Sequence, residues 1–402
     1  MPRDERLLIE NFGPIHTADL AIRDLTVFVG PQASGKSLAA QLLYYMRGME
    51  ELLPGPAIQD ELDVEEQAVP VAKRSPEQEA LSYWLGGSIR RFVATAENPE
   101  SVIRWWPKQA PGDTSNRLQL VRSHTIADMR VPSISATYQK HARGSREHQI
   151  YIPAGRTLFS MVSPSTALQL ISQKKIDWPG FIVLFYKKLS DIIEAFSVGR
   201  RTIIQNDYIG TKLVEALRCR LVFMDDKVRL ALESNPNQSR GRLLLDPLRA
   251  ASGQMETWPF VAVVQEALAM PKAQRRIFFE EPEAHLHPTA QRALLDVVAA
   301  LTNRKQRFVL TTHSPYVIYA INNYLLARQV LDKGRTLPSP ELEQTALRPD
   351  QVAAYRFTTD GQVESLFDEE TGLLKTSELD DPAAALSATF SELQDALFED
   401  DK

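Results

Sequence analysis

The sequence predicts an α/β fold: a mixed, largely parallel sheet core, N-terminal antiparallel strands, and an inserted, mainly helical lobe. Three observations carry that prediction. The β-branched run LTVFVG (25–30) ends on glycine and opens, after Ser37, into a helical pattern. Much later, strand-like IFF (277–279), a helical pattern from Pro288, strand-like RFVLTTH (307–313) and a helical pattern from Ser314 alternate, as they do in a parallel sheet with helices on its faces. Ahead of both, apolar and polar residues alternate on either side of a turn at Phe12-Gly13-Pro14, which reads as paired short strands.

Along the chain, LAAQLLYYMRGMEELL has helical spacing and stops at Pro54-Gly55-Pro56. Residues 55–80 are acidic and carry prolines, which suggests a solvated loop. SIRRFVA and VIRWWPK read equally as strands or short helices. YIPAGR (151–156) looks like a strand end entering a loop, with Arg156 facing a site. Helices are expected near 165–175 and 181–197, and a hairpin over 218–233 with Asp225-Asp226 at its turn. GRLLLDPLRAASGQ leads into a helical pattern of Met255, Trp258, Val261, Val264 and Leu268. YRFT and VESLF are short strands, and an acidic amphipathic helix follows. Residues 1–54 and 241–345 are therefore expected to form the core, 55–240 an inserted lobe with part of the core sheet, and 346–402 a C-terminal strand and acidic-helix extension.

Bulk composition limits the function classes. With 402 residues, 44% hydrophobic and 24% charged, the chain can bury a sizeable core. A formal net charge of −5 argues against a dedicated, strongly basic nucleic-acid binder, without excluding a local basic groove. The single cysteine, Cys219, allows no intramolecular disulfide and fits a reducing, cytoplasmic setting. No apolar segment follows the charged N-terminus, and no run approaches a membrane span.

Gly30-Pro31-Gln32-Ala33-Ser34-Gly35-Lys36-Ser37 matches GxxxxGK[ST] without a gap, after a strand and before a helix. Its glycines let backbone N–H groups turn toward phosphate oxygens, and the helix N-terminus favours negative charge. Lys36 is positioned to meet the β- and γ-phosphates of ATP, and the Ser37 hydroxyl to coordinate Mg²⁺. The strand IFF ends in Glu280-Glu281. The first acid is expected to hold Mg²⁺, directly or through water, and the second to orient the attacking water. In Pro282-Glu283-Ala284-His285-Leu286-His287-Pro288, HxH invites a zinc reading. No further Cys/His cluster accompanies it, so a loop crossing a subunit interface is the better account. His313 closes the next strand, where a parallel sheet points toward a ligand, with Ser314 as N-cap and Pro315 in the first helical turn.

Ala251-Ser252-Gly253-Gln254 stands just before a helix and ahead of the acidic pair. Phosphate loop, SGQ helix, EEP strand and TTHS strand, in that order, resemble the ABC-class P-loop ATPases. Within that class the chain is similar to bacterial AAA-family, defence-type ATPases related to the OLD, RecF and SMC groups; IENFGPI and EEPEAHLHP carry the likeness most directly. The resemblance covers residues 6–45 and 240–330. It implies an ATPase that works as a homodimer or higher homo-oligomer. Ser252, Gly253 and Gln254 would then serve the other subunit's nucleotide, Glu281 would be the catalytic carboxylate and His313 the γ-phosphate sensor. Glu283 to His287 would cross the dimer. Gln32 stands where the family usually has Asn, and Ala251 where it often has Ser or Leu. Gln139 and Gln149 are candidates for the family's Q-loop glutamine.

The stretch from Ser37 to Ser252 is too short for a long coiled-coil arm and longer than a transporter subunit usually needs, and without sustained heptads the insert reads as a compact helical lid or lobe. Unlike OLD proteins, the chain shows no acidic cluster of nuclease type after His313. Output is therefore expected through a separate effector protein, a nuclease or toxin, in anti-phage defence or a toxin-like system. The alternative is an ATP-gated DNA-repair protein, with Arg90-Arg91, Arg104 to Lys108 and Arg200-Arg201 lining a groove.

Overall fold

A computed structural model describes residues 5–52, 101–106, 118–122, 148–156, 180–204, 207–224, 227–232, 243–377 and 387–394, with isolated positions between 161 and 169. β1 (Glu5–Phe12), β2 (Ile15–Ile22) and β3 (Leu25–Val29) open the chain, followed by α1 (Lys36–Leu52). β4 (Ser101–Trp106), β5 (Leu118–Arg122) and β6 (His148–Ile152) come next. Then follow α2 (Gly180–Ser197), α3 (Tyr208–Leu217), β7 (Cys219–Met224), β8 (Lys227–Leu232), β9 (Leu244–Leu245) and α4 (Ser252–Ala269). β10 (Arg275–Glu280), α5 (Pro288–Asn303), β11 (Arg307–Thr312) and α6 (Pro315–Asp332) form the alternating segment. A short α7 (Leu342–Thr345) precedes β12 (Val352–Phe357), β13 (Val363–Ser365), β14 (Phe367–Asp368) and β15 (Leu373–Leu374).

The main sheet runs β13-β12-β3-β11-β10-β6. Every pairing from β12 to β6 is parallel, and only the edge strand β13 is antiparallel. Beside it lies an antiparallel sheet, β2-β1-β4-β5. VIRWW is thereby a strand, β4, paired with β1. The hairpin expected over 218–233 forms as β7 and β8, joined by β9 in a three-stranded sheet. Residues 387–394 are helical and exposed; most of the helix expected near 165–175, and SIRRFVA, fall outside the described residues.

Strand periodicity sorts the core into two layers. Val27, Ile150, Ile152, Ile277, Phe279, Phe308 and Leu310 face one way, against α2 to α6. Phe28, Tyr151, Phe278 and Val309 face the other, against α1 and the apolar side of β1 and β2. So α1 is clasped between two sheets, while the helix following β11 lies on the opposite face. The crevice between β3 and β11 is therefore a topological switch point, where open α/β sheets bind ligands.

Two elements lie beyond the sequence reading. α3 was not anticipated as a helix; Asp207 caps it by accepting from the Gly210 N–H, and Ile209, Leu213, Ala216 and Leu217 form its buried face. β12, expected in an extension beyond residue 345, is a parallel member of the main sheet beside β3, because its side chains alternate between the two core layers.

Candidate functional site

The phosphate loop connects β3 to α1 at the carboxyl edge of the sheet. Gly30 has φ +151°, and a Cβ there would lie 2.1 Å from the Phe357 carbonyl oxygen. Gly35 has φ +100°, with Ile15 Cγ1 2.6 Å from an added Cβ. Only glycine meets both conditions. Ala33 also takes positive φ, 61°, so the loop alternates hand and curls its N–H groups inward, a geometry that cradles anions. The Lys36 ammonium donates to the Pro31 carbonyl at 2.5 Å and lies 3.4 Å from Ser34 Oγ, which itself donates to Pro31. Burial pushes the Lys36 amine down from 10.5 to about 8, against the opposing pull of Glu281 and Glu283.

β10 delivers Glu280 and Glu281 to the same edge, one strand removed from β3 across β11. Glu280 is 5% exposed. One of its oxygens accepts from the Tyr151 hydroxyl at 2.7 Å and the other from the Ala154 N–H at 2.9 Å. Lone pairs remain on both oxygens for a hard cation. Burial and the adjacent Glu280 carboxylate raise the Tyr151 phenol well above its usual range, so it stays a donor.

Glu281 takes left-handed backbone, φ 43°, anchored by its N–H to the Thr311 carbonyl at 2.8 Å. That turn sends its half-exposed side chain to His313, with Oε1 3.6 Å from Nε2. Such a conformation costs a β-carbon residue free energy and is characteristic of working sites; His285, at φ 59°, is a second instance in the same loop. Glu283 braces the pair: one oxygen accepts from the Thr312 hydroxyl at 2.6 Å and the His313 N–H at 3.0 Å. Ser314 occupies the N-cap position of α6 but makes no side-chain cap bond. The Thr312 hydroxyl accepts from the Ser314 N–H instead.

Ser252 begins α4, exposed, followed by Gly253. A Cβ on Gly253 would meet the His285 carbonyl oxygen at 2.7 Å, so the start of α4 abuts the loop after the acids. Among the described residues no hydrogen bond joins Ser252 or Gly253 to this chain's phosphate loop. Gln254 is engaged internally, accepting from the Ala251 N–H and donating to the Leu217 carbonyl at 2.8 Å. His287 caps α5 through Thr289, and among the described residues no group of three or more metal-binding side chains gathers.

Sequence reasoning missed Tyr151 and the bracing role of Glu283. It placed Arg156 toward a site, but Arg156 is fully buried and donates to the backbone carbonyls of Pro153, Glu256, Glu280 and Glu281. Burial lowers its pKa, opposed by Glu256, Glu280, Glu281 and Glu283. Gln149 lies on β6, whereas Gln139 is outside the described residues.

Residues 266–318, which carry both acids and His313, match the family described as "AAA domain, putative AbiEii toxin, Type IV TA system". The chain thus resembles ABC-class P-loop ATPases in its motif order and shares AAA-domain sequence over the acidic segment. No match was found among curated protein sequences. Among solved structures, an SMC head bound to the C-terminal winged-helix domain of ScpA aligns at 13% identity, covering 92% of this chain and 99% of that one, with TM-score 0.47. The SMC head from Thermotoga maritima aligns at 10% identity over 80% and 92% of the two chains, TM-score 0.38. The Pyrococcus furiosus SMC head with an extended coiled coil, bound to the C-terminal domain of ScpA, gives 13%, 91% and 96%, TM-score 0.43.

Proposed function

We propose that this chain is an ABC-type ATPase, binding ATP with Mg²⁺ and closing as a homodimer or higher homo-oligomer, whose nucleotide state switches a separate effector protein. The observation that carries the reading is the convergence on adjacent parallel strand ends of a phosphate loop, the shielded Glu280, and the Glu281–His313 pair at 3.6 Å. In this reading the N–H groups of 30–37 and Lys36 hold the phosphates, while Ser37 and Glu280 hold the cation. The donor set suits that load: amides and an ammonium for anionic oxygens, a hydroxyl and a carboxylate for a hard cation. Glu281 orients water, and His313 meets the γ-phosphate. Ser252, exposed at the start of α4, and the half-buried Gly253 beside it, both unbonded to the loop of their own chain, serve the partner's nucleotide.

The toxin-system description of the matching family supports a defence or toxin-like setting, with the 55–240 lobe and the C-terminal segment presenting the effector surface. One observation weighs against the DNA-binding alternative. Arg200 pairs with Glu194 and Arg201 with Glu266, both at 2.5 Å, so this expected stretch of the basic groove is locally neutralised. No described helix is long and apolar enough to cross a membrane. The test is Glu281→Gln: it should hold ATP and elute as a dimer that persists, with turnover reduced on the order of 10³-fold. A monomer with and without ATP would overturn the closing step. Should Glu280→Gln trap the dimer instead, the roles of the two acids are reversed.

A further inference from the structure

Arg156 is a guanidinium with 0% exposure, far from any solvent-facing task, and its donors fan across three elements. Nε donates to the Glu256 carbonyl at 2.8 Å and lies 3.5 Å from the Glu256 carboxylate. Nη1 reaches Pro153 at 3.0 Å and the Glu280 carbonyl at 2.5 Å, and Nη2 the Glu281 carbonyl at 2.9 Å. The plane rests over the Phe279 ring, 4.9 Å from its centroid. Glu256 lies one turn beyond Ser252 on α4. One side chain therefore ties the SGQ helix to the backbone of both strand-end acids.

We propose that Arg156 is a positioning residue that couples the two nucleotide sites of a dimer. The inference rests on the composite-site reading above, in which Ser252 and Gly253 act on the partner's nucleotide while Glu281 acts on its own. Under that arrangement, α4 feels whether the partner's site is loaded, and the acid pair decides whether this chain's site fires. Any shift of the α4 N-terminus on docking the partner's γ-phosphate pulls on the Glu256 carbonyl. Through the rigid fork it then pulls on the carbonyls that set the turn of Glu281. A second contact runs beside it, because Gly253 abuts the His285 carbonyl. A guanidinium suits the task and an ammonium does not: five N–H donors in one plane can span several carbonyls at once, whereas lysine offers donors from a single nitrogen. Coupling of this kind is a free energy linking two sites, and it shows itself as cooperativity.

The experiment measures ATP turnover against ATP concentration, together with nucleotide binding by fluorescent-ATP titration and dimer formation by light scattering. Wild type is expected to show a Hill coefficient above 1, approaching about 2 for two coupled sites. Arg156→Lys should bind nucleotide within about threefold of wild type and still dimerise. Its kcat should fall about tenfold and its Hill coefficient should drop to about 1. Glu256→Gln, which keeps the carbonyl but removes the carboxylate charge, should give an intermediate Hill coefficient and decides the matter if Arg156→Lys does not fold. A merely structural arginine would lower stability and kcat and leave the Hill coefficient as in wild type; that result, or a wild-type coefficient of 1, overturns the coupling. Failure of the underlying reading looks different: neither wild type nor Glu281→Gln would dimerise with ATP.

Discussion

Lys36 holds its charge where water cannot fully solvate it, and the consequence is measurable. With the free amine at about 8 instead of 10.5, the folded chain binds fewer protons than the unfolded one between those values. The buried ammonium thus costs stability below pH 8, and that cost is relieved as pH rises from about 8 toward 10.5. Nucleotide acts in the opposite direction, since bound phosphates favour the charged form. ATP affinity is therefore expected to be level up to about pH 7.5. It should then weaken by up to about tenfold per pH unit, with proton uptake on binding. Calorimetry at pH 8.5 in buffers of different ionisation enthalpy reads that uptake; flat affinity to pH 9.5 with no uptake would refute it. Lys36→Ala should reduce turnover on the order of 10³-fold with the fold intact, and near-normal turnover in a folded variant would contradict the assignment.

Elements, not single residues, bring the pieces together, and α4 is the informative one. Gly253→Ala places a methyl group 2.7 Å from the His285 backbone carbonyl oxygen, which cannot swing aside as the neighbouring Leu286 side chain can. ATP binding should be retained while turnover falls by about tenfold or more, because the helix start must lift off the loop. Ser252→Arg should also spare binding yet abolish turnover, and mixing it with Lys36→Ala chains should restore part of the activity, since one site of each mixed dimer carries neither defect. Wild-type turnover from Ser252→Arg alone would remove α4 from the mechanism. The phosphate loop, both acids and His313 were legible because each is a continuous run bounded by a strand and a helix start. Tyr151 and the true bearing of Arg156 were not. They act on residues more than a hundred positions away, and Arg156 acts on backbone carbonyls, which no side-chain pattern announces. α3 escaped because it is a short helix with Gly210 and Thr211 in its first turn, where intrinsic propensity is poor. The strand character of YRFT was readable; its parallel partner across most of the chain was not.

On the proposed reading, the whole molecule is a nucleotide-driven switch that acts through a separate protein. Co-expression of the tagged chain with proteins encoded beside it should yield a partner whose retention differs between wild type and Glu281→Gln, because only differential affinity for two states can switch anything. Equal retention in both states would remove the switch, and a duplex-DNA complex with a steep salt slope would install the DNA-binding reading in its place. The neighbour of β3 bears on how the protein comes to exist at all. β12 flanks the strand that carries the phosphate loop, and its last carbonyl, that of Phe357, closes the space beside Gly30. During synthesis β3 emerges early, but its two partners β11 and β12 emerge only after residue 300. For most of translation the nucleotide cradle hangs on an apolar strand with both hydrogen-bonding edges bare, a form open to mispairing. A chain terminated after His313 but before residue 352 carries every residue of the phosphate loop, both acids and His313, yet leaves one edge of β3 unsealed. Such a product is expected to aggregate instead of accumulating as a rogue ATPase.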